Sequence, residues 1–589
     1  MLPHDSTSPL PPMNAPPPAG TALLFDGSTS QWRRFDSPTH TLVAHRLDEV
    51  RPALAALESA VAAGQWAAGF LSYEASPAFD AAYRVAPATD FPLLWFGLYD
   101  APTVGELPPL GPRLALDWQP TVEIDDYLAA IARVKAQIAA GATYQVNYSY
   151  RLRAPFVGDD FALWRQMVAP HRPGYAAYLS LERWAIGSAS PELFFERDGA
   201  TVRSKPMKGT APRGLWPADD LAKATWLRES AKNQAENVMI VDMVRNDLAQ
   251  ISAPGTVRVP QLFEVERHPT VWQMTSTVAC ESNASLTQLF GALFPASSIT
   301  GAPKVRTMGI IEALESTPRQ IYTGAIGFVG PAGEMQFNVA IRTALVDRVR
   351  GIAEYGTGGG IVWDSEARAE RAEALTKTQL LSRAWPDFAL LETMRWTAEE
   401  GYALIQRHLA RLKGSADYFG FAYDEPRILT ALGEAALGLP RCPHRVRLTV
   451  DRQGRPTVEA SPLGNEPPSR LVGLAPQPID SRDPFLYHKT THRVIYDAMR
   501  RGRNDCDDVL LWNERGELTE STIANLVVQL GGERFTPPVE CGLLAGTLRA
   551  HLLDAGLLRE RTISREELAE AEALYLINSV RGLWEVEER

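Results

Sequence analysis

The segment EYGTGGGIVWDSEARAERAEALTK, residues 354–377, brings together the residue types that hold anions and cations. Glycines at 356, 358, 359 and 360 let backbone N–H groups approach an anion closely. Their spacing is neither GxGxxG nor GxxxxGK[ST], which excludes a dinucleotide fingerprint and a P-loop. A strand is expected to run into this cluster as a turn, with Asp364 or Ser365 capping the helix that follows. On that helix Glu366, Glu370, Glu373 and Lys377 recur at spacings of four, three and four, so they share one face. Such a stripe is more often a solvated charged face with a Glu373–Lys377 pair. Its chemical alternative is a carboxylate set for Mg²⁺, which takes one or two carboxylates plus waters and an anionic substrate. A second helix, SAKNQAENVMIVDMVRNDLAQI from Ser230, carries Glu236 on its polar side, with Asp242, Arg245, Asn246 and Asp247 after it. In RSKPMKGTAPRG, Lys205, Lys208 and Arg213 crowd a Pro/Gly-bounded turn. Neighbouring cations lower a lysine's pKa and make its amine a nucleophile; the alternative is a basic surface loop.

The C-terminal third holds weaker signals. His408 and Arg411 form an HxxRL helix face, more often a salt-bridged surface pair. Gly546 and Thr547 open a helix at AGTLR, where free N–H groups meet the positive end of the dipole. Glu520 precedes the small hydroxyls of LTESTIAN.

The elements that must position these groups belong to an ordinary globular chain. Of 589 residues, 45% are hydrophobic and 22% charged, with a formal net charge of −11. That balance argues against a general nucleic-acid or anionic-membrane binder while allowing a local basic pocket. Cys280, Cys442, Cys506 and Cys541 form no CxxC pair and no disulfide framework, which fits a reducing compartment. The first twenty residues contain seven prolines and no apolar run, so residues 1–20 read as a disordered tail rather than a signal. No apolar stretch approaches the roughly 18 residues of a membrane span. A soluble, cytoplasmic protein is expected. A helical stretch is expected over 219–250 and another over 366–385, ending at Trp385 before Pro386. A new strand, FALLETMRW, and a helix over 407–420 follow. The expected domains are therefore 21–385 and 386–589.

Six segments carry a resemblance to the chorismate-utilising enzymes: KPMKGTAPRG, AENVMIVDMVRNDL, FPASSITGAPKVRTM, IYTGAIG, FNVAIRT and YGTGGGIVWDSEARAERAE. The resemblance implies an α+β fold like that of anthranilate synthase component I, and Mg²⁺ held by Glu236 and Glu373. It implies substrate contacts from Thr210, Tyr322, Arg342, Lys377 and the amides of Gly358, Gly359 and Gly360. Lys208 stands where anthranilate synthases have alanine, which marks the aminodeoxychorismate branch and makes this lysine the implied nucleophile. Gln145, also placed in the substrate site, stands where isochorismate and salicylate synthases have a water-activating lysine. Two positions depart from the pattern: Gln273 replaces a common histidine, and Asn233 replaces an acid often found three residues before Glu236.

The later motifs together resemble the fold-type IV pyridoxal-phosphate enzymes, which include D-amino-acid transaminases and aminodeoxychorismate lyase. By position Lys489 is the imine-forming lysine and Glu520 the partner of the pyridine nitrogen. Arg411, Thr522, Gly546 and Thr547 are the implied phosphate contacts, with Ser521 a weaker one. The glycine-rich start of such domains is replaced by WPDFALLETM, so the small subdomain is either truncated or completed by the first part. The joint implication is 4-aminobenzoate synthesis in two steps, with Mg²⁺ and pyridoxal phosphate as cofactors. Ammonia would come from a separate glutamine amidotransferase, since no cysteine lies in a G-x-C-x-G context. The second domain allows a homodimer. The alternatives are an anthranilate synthase component fused to a transaminase, and a non-catalytic ligand-binding regulator.

Overall fold

The structure, a computed structural model, describes residues 17–87, 89–107, 114–168, 174–268, 271–381, 386–464 and 470–589. Most of the expected Pro-rich tail, and the expected helix end at Trp385, lie outside these residues. Two compact units are present, Met1–Pro212 with Ala224–Ala384, and Arg213–Lys223 with Trp385–Arg589.

In the first unit, among the described residues, two ten-stranded sheets face each other. Between them lie Leu24, Phe35, Leu179 and Leu345 from one sheet and Phe70, Trp95, Ile326 and Phe328 from the other. Burying each such side chain contributes roughly 1.5–3 kcal/mol, so this layer fixes the sheets face to face. Helices cover the outer faces. Leu47–Ala62, Ala231–Ala249 and Leu286–Leu293 pack on one sheet, and Ile124–Ala139 and Asp160–Val168 on the other. The layered α+β arrangement is the one the motifs implied.

Four local expectations change. The helical stretch over 219–250 is two helices, Pro217–Glu229 and Ala231–Ala249. They part at Ser230, whose hydroxyl accepts from the Asn233 amide at 3.4 Å and caps the second helix. The helix after the glycines is Ala367–Thr376, and a short 3₁₀ turn, Gln379–Leu381, follows it. It stops where the Lys377 amine reaches the Gly358 carbonyl at 3.0 Å instead of continuing along the helix surface. Its N-cap is Glu366, with no side-chain cap; the Ser365 hydroxyl instead accepts from the Val362 amide and donates to Glu370. Finally, the glycine cluster and Lys208 lie on strands, not turns. The glycine strand is Ile352–Ile361, and Lys208 lies on Met207–Pro212, next after Thr201–Lys205.

In the second unit, among the described residues, Leu390–Thr397 is an inner strand of a four-stranded antiparallel sheet. Helices Ile405–Phe419 and Glu425–Leu437 bury Leu409, Leu412, Phe419, Ile428 and Leu432 with Met394, Val446 and Leu448 of that sheet. An eight-stranded mixed sheet, counted among the described residues, has Val472, Leu510, Leu526 and Leu576 in its core, and helices Val494–Arg501 and Thr547–Asp554 accompany it. Arg213–Lys223 belongs to this unit and not to the unit of its sequence neighbours. Trp216 stacks on Tyr487 with ring centroids 5.2 Å apart, and the Arg213 guanidinium lies 4.7 Å from the Tyr418 ring centre. Arg213 also grips Asp220 through two hydrogen bonds, at 2.8 and 2.7 Å. None of the described helices is long and apolar enough to cross a membrane.

Candidate active sites

A cavity of about 450 Å³ in the first unit is lined by Lys208, Thr210, Glu236, Tyr322, Arg342, Gly358, Gly359, Gly360, Glu373 and Lys377. Its floor is the glycine strand. That strand pairs with Gln145–Pro155 along its whole length, but its other neighbour, Thr343–Asp347, ends opposite Tyr355. Beyond Tyr355 one edge is open, and its N–H groups have no partner strand. In an antiparallel strand alternate residues direct their N–H and C=O to opposite sides. The Gly358 carbonyl receives Lys377, so Gly358 and Gly360 face the open edge. Gly359 therefore faces its ladder partner Tyr148, which corrects the expectation that all three amides point at a ligand. Gly356 is required for a different reason: a Cβ there would lie 2.2 Å from the Tyr322 ring.

Lys208 reaches this floor because its strand is bulged. Register shifts between Met207 and Thr210, and Gly209 adopts φ +102°. The Lys208 amine lies 3.7 Å from Glu236 Oε2, and a Cβ on Gly360 would be 2.7 Å from it. Gln145 lies just behind Gly360. It is wholly buried and both its side-chain amide atoms lack a partner, although it does not line the cavity itself. The expected crowding of three cations is not built. Lys205 pairs with Glu264 and Glu266, and Arg213 with Asp220.

The carboxylates divide by environment. Lys377, 2.9 Å from Glu373, holds the Glu373 carboxyl below its ordinary range. Burial, reinforced by repulsion from Glu373, raises that of Glu370. Among the described residues no group of three or more His, Cys, Asp or Glu is placed to hold a metal ion. Glu236 and Glu373 both line this cavity, two carboxylates of the kind that would suit a Mg²⁺ completing its shell with waters and substrate oxygens. Glu192 was missed in the sequence. It lines the same cavity, receives the Ser298 hydroxyl at 2.6 Å, and is pushed by burial to about 7. A buried carboxyl with that pKa exchanges its proton near neutral pH and can serve as an acid there. Only its lone position in SASPELFF, between two apolar strands, hinted at burial. Arg342 is held at φ +50°, a left-handed conformation that costs a non-glycine residue energy and is common at ligand sites.

A second cavity, of about 420 Å³, is lined by Arg411, Lys489, Glu520, Ser521, Thr522, Gly546 and Thr547. The ET strand places the lysine: the Leu391 amide donates to the Lys489 carbonyl at 3.0 Å, and the Thr491 amide to that of Ala389 at 2.9 Å. Burial, with Arg411 and Arg493 nearby, lowers the Lys489 amine to about 8. Burial raises Glu520 to about 7, and the Tyr496 hydroxyl, the Asn525 side-chain amide and the Leu544 N–H fix its two oxygens at 2.9–3.1 Å. A Cβ on Gly546 would lie 1.9 Å from Asn525 Oδ1, so only glycine fits at this helix N-cap. The Thr522 hydroxyl is already used, donating to Asp508 at 2.5 Å; the Ser521 hydroxyl accepts from the Ile523 and Ala524 amides and keeps its proton to donate. That reverses the expected ranking of the two hydroxyls.

Glu392, also missed, organises the cavity wall. Burial alone would raise its carboxyl, but Arg411 at 2.9 and 2.6 Å and His408 at 2.6 Å bring it down to about 2. The surface pair expected of His408 and Arg411 is thus a buried ion cluster. A buried lysine, a buried carboxyl and an open helix N-terminus in one cavity are groups that pyridoxal phosphate could use.

Gly360→Ala should leave the fold intact, because the new methyl meets the mobile ends of Lys208 and Gln145 rather than backbone. The reaction of the first cavity should fall by about tenfold or more, while cofactor loading of the second cavity is unchanged. Steady-state rates and visible absorbance check both.

Residues 106–383 match the family described as chorismate binding enzyme, and residues 389–588 that described as class IV amino-transferase. The chain is 39% identical over 266 residues to aminodeoxychorismate synthase component 1 of Escherichia coli, covering 45% of this chain and 58% of that protein. It is 41% identical over 272 residues to anthranilate synthase component 1 of Streptomyces coelicolor, covering 45% and 52%. The chain thus spans little more than half the length of these relatives. Anthranilate synthase component I of Streptococcus pneumoniae shares the fold, with a TM-score of 0.53, 23% identity and coverage of 65% of this chain and 95% of that one. Residues 106–383 are thus similar to the chorismate binding enzymes, and residues 389–588 to the class IV amino-transferases.

Proposed function

We propose that the first cavity converts chorismate and ammonia to 4-amino-4-deoxychorismate, and that the second eliminates pyruvate from it to give 4-aminobenzoate. The observation that carries this reading is the Lys208 amine, aimed into the first cavity beside Glu236 and the open glycine edge. Overall identity does not separate the synthase from the anthranilate branch, being 39% to one relative and 41% to the other.

Arg342, Lys377 and the Gly358 and Gly360 amides grip the substrate carboxylates. Mg²⁺, held by Glu236 and Glu373, would supply charge neutralisation and Lewis acidity. Lys208 adds through its nitrogen to the ring while the 4-hydroxyl leaves as water, taking the proton of Glu192. Ammonia then enters at the 4-position and the lysine departs, so one difficult substitution becomes two easier ones. Thr210 and Tyr322 bound the ring. The ammonia comes from a glutamine amidotransferase subunit.

In the second cavity Arg411, Gly546, Thr547 and Ser521 would hold the phosphate of pyridoxal phosphate, and Glu520 would pair with its ring nitrogen. When bound, the group supplies an electron-withdrawing ring. Lys489, lowered to about 8, reaches its neutral form near physiological pH and takes the proton from the amine-bearing carbon of the substrate. Loss of pyruvate makes the product aromatic, so no keto acid is consumed.

Product analysis with chorismate, Mg²⁺ and an ammonium salt tests this. Wild-type enzyme should yield 4-aminobenzoate and pyruvate, and Lys489→Ala should accumulate aminodeoxychorismate with no visible cofactor band. Anthranilate as the product, or a requirement for a keto acid, would establish the anthranilate synthase–transaminase reading instead.

Glu192 acts in its protonated form, which is lost as pH rises through about 7. The kcat of the first reaction should therefore decline on the alkaline side of that value. Glu192→Gln should lower kcat by roughly 10²-fold and remove that limb from the pH–rate profile.

A further inference from the structure

Gln273 and Asn233, two positions that depart from the motif pattern of the resemblance, meet at Gly209, the residue after Lys208. The Gln273 side chain spans the bulge: its amide N–H donates to the Gly209 carbonyl at 2.8 Å, and its carbonyl receives the Thr210 hydroxyl at 3.2 Å. From the other side Asn233 closes on the same glycine, where a Cβ would lie 3.2 Å from both Asn233 Cβ and Oδ1 and 3.3 Å from Met274 Cβ. The Lys208 carbonyl is held in turn by the Asn237 side-chain amide at 3.1 Å, and Asn237 by the Ser276 hydroxyl at 2.6 Å. Gln273 is 7% exposed, so its hydrogen bonds form out of bulk water.

A bulge leaves residues outside the regular ladder, and its conformation is set by whatever satisfies their backbone groups. Gly209 sits at φ +102°, open to several alternatives for a glycine. Without a clamp the peptides on either side of it can rotate, and the Lys208 side chain rotates with them. A misplacement of about 1 Å in a reacting group costs on the order of 10²-fold in rate.

We infer that Gln273 is a positioning residue for Lys208, its side-chain amide locking the Gly209 bulge so that the lysine amine is delivered to the substrate ring. Gln273 acts on the backbone that carries the nucleophile. Gln273 also lines the cavity and holds the Thr210 hydroxyl, so its loss should appear chiefly in kcat for the synthase reaction, with a smaller effect on substrate affinity. This rests on the reading that Lys208 attacks the ring.

The test compares steady-state aminodeoxychorismate formation by the full chain carrying Gln273→Leu, Gln273→His or Lys208→Ala. Leucine keeps nearly the same volume and removes both hydrogen bonds; histidine restores a donor. Gln273→Leu should lower kcat by about tenfold or more with KM for chorismate within twofold and Tm unchanged. Gln273→His should recover most of the rate. Normal kcat in Gln273→Leu, or a loss confined to KM, would overturn the clamp while a dead Lys208→Ala keeps the lysine reading intact. Full activity in Lys208→Ala would overturn both.

Discussion

Backbone N–H groups that leave a ladder must find water or a ligand, and that constraint shapes the first site. The strand Ile352–Ile361 is paired on one side throughout, but on the other only as far as Tyr355. Glycines stand where neighbours press on the open stretch: a Cβ would lie 2.2 Å from the Tyr322 ring at Gly356, 2.2 Å from the Tyr148 carbonyl at Gly358 and 2.7 Å from the Lys208 amine at Gly360. The cations then arrive from different elements: Lys377 from the following helix, Lys208 from a bulged strand of the other sheet, Arg342 from a strained turn. A bound anion would satisfy the open amides and these side chains together.

The second site solves a different problem, the burial of charge. Lys489, Glu520 and Glu392 are buried, and each is shifted in the direction its environment dictates. Glu392 is the member with a structural task. By holding Arg411 in two hydrogen bonds and His408 in a third, it sets the guanidinium at the cavity wall and the imidazole next to Thr547. Breaking such a buried pair by removing one partner typically costs about 3–5 kcal/mol, so this carboxylate is part of the cavity's architecture.

Much of both sites was legible in the sequence because chemistry-bearing residues sit in local runs. The glycines, the Glu370–Lys377 face and the AGTLR helix start each reveal their grouping by spacing. What was not legible depends on long-range pairing. The bulge that aims Lys208 exists only through its register with Val271–Glu281, so RSKPMKGTAPRG reads as a turn when taken alone. Glu192 and Glu392 each stand alone among apolar neighbours, and only the fold shows what they face. His408 and Arg411 read as surface residues because the carboxylate that buries them lies sixteen and nineteen residues away on another element. The membership of Arg213–Lys223 in the second unit has no sequence signal at all.

The central claim is that Lys208 forms a bond to the substrate ring. Mixing the protein with chorismate and Mg²⁺ in the absence of any ammonia source, then measuring the intact mass after rapid quenching, tests it directly. The account predicts a species heavier by chorismate less one water, with the added mass mapping to the peptide that contains Lys208. An unmodified chain under conditions where ammonia supports turnover, or an adduct mapping to another residue, would contradict it.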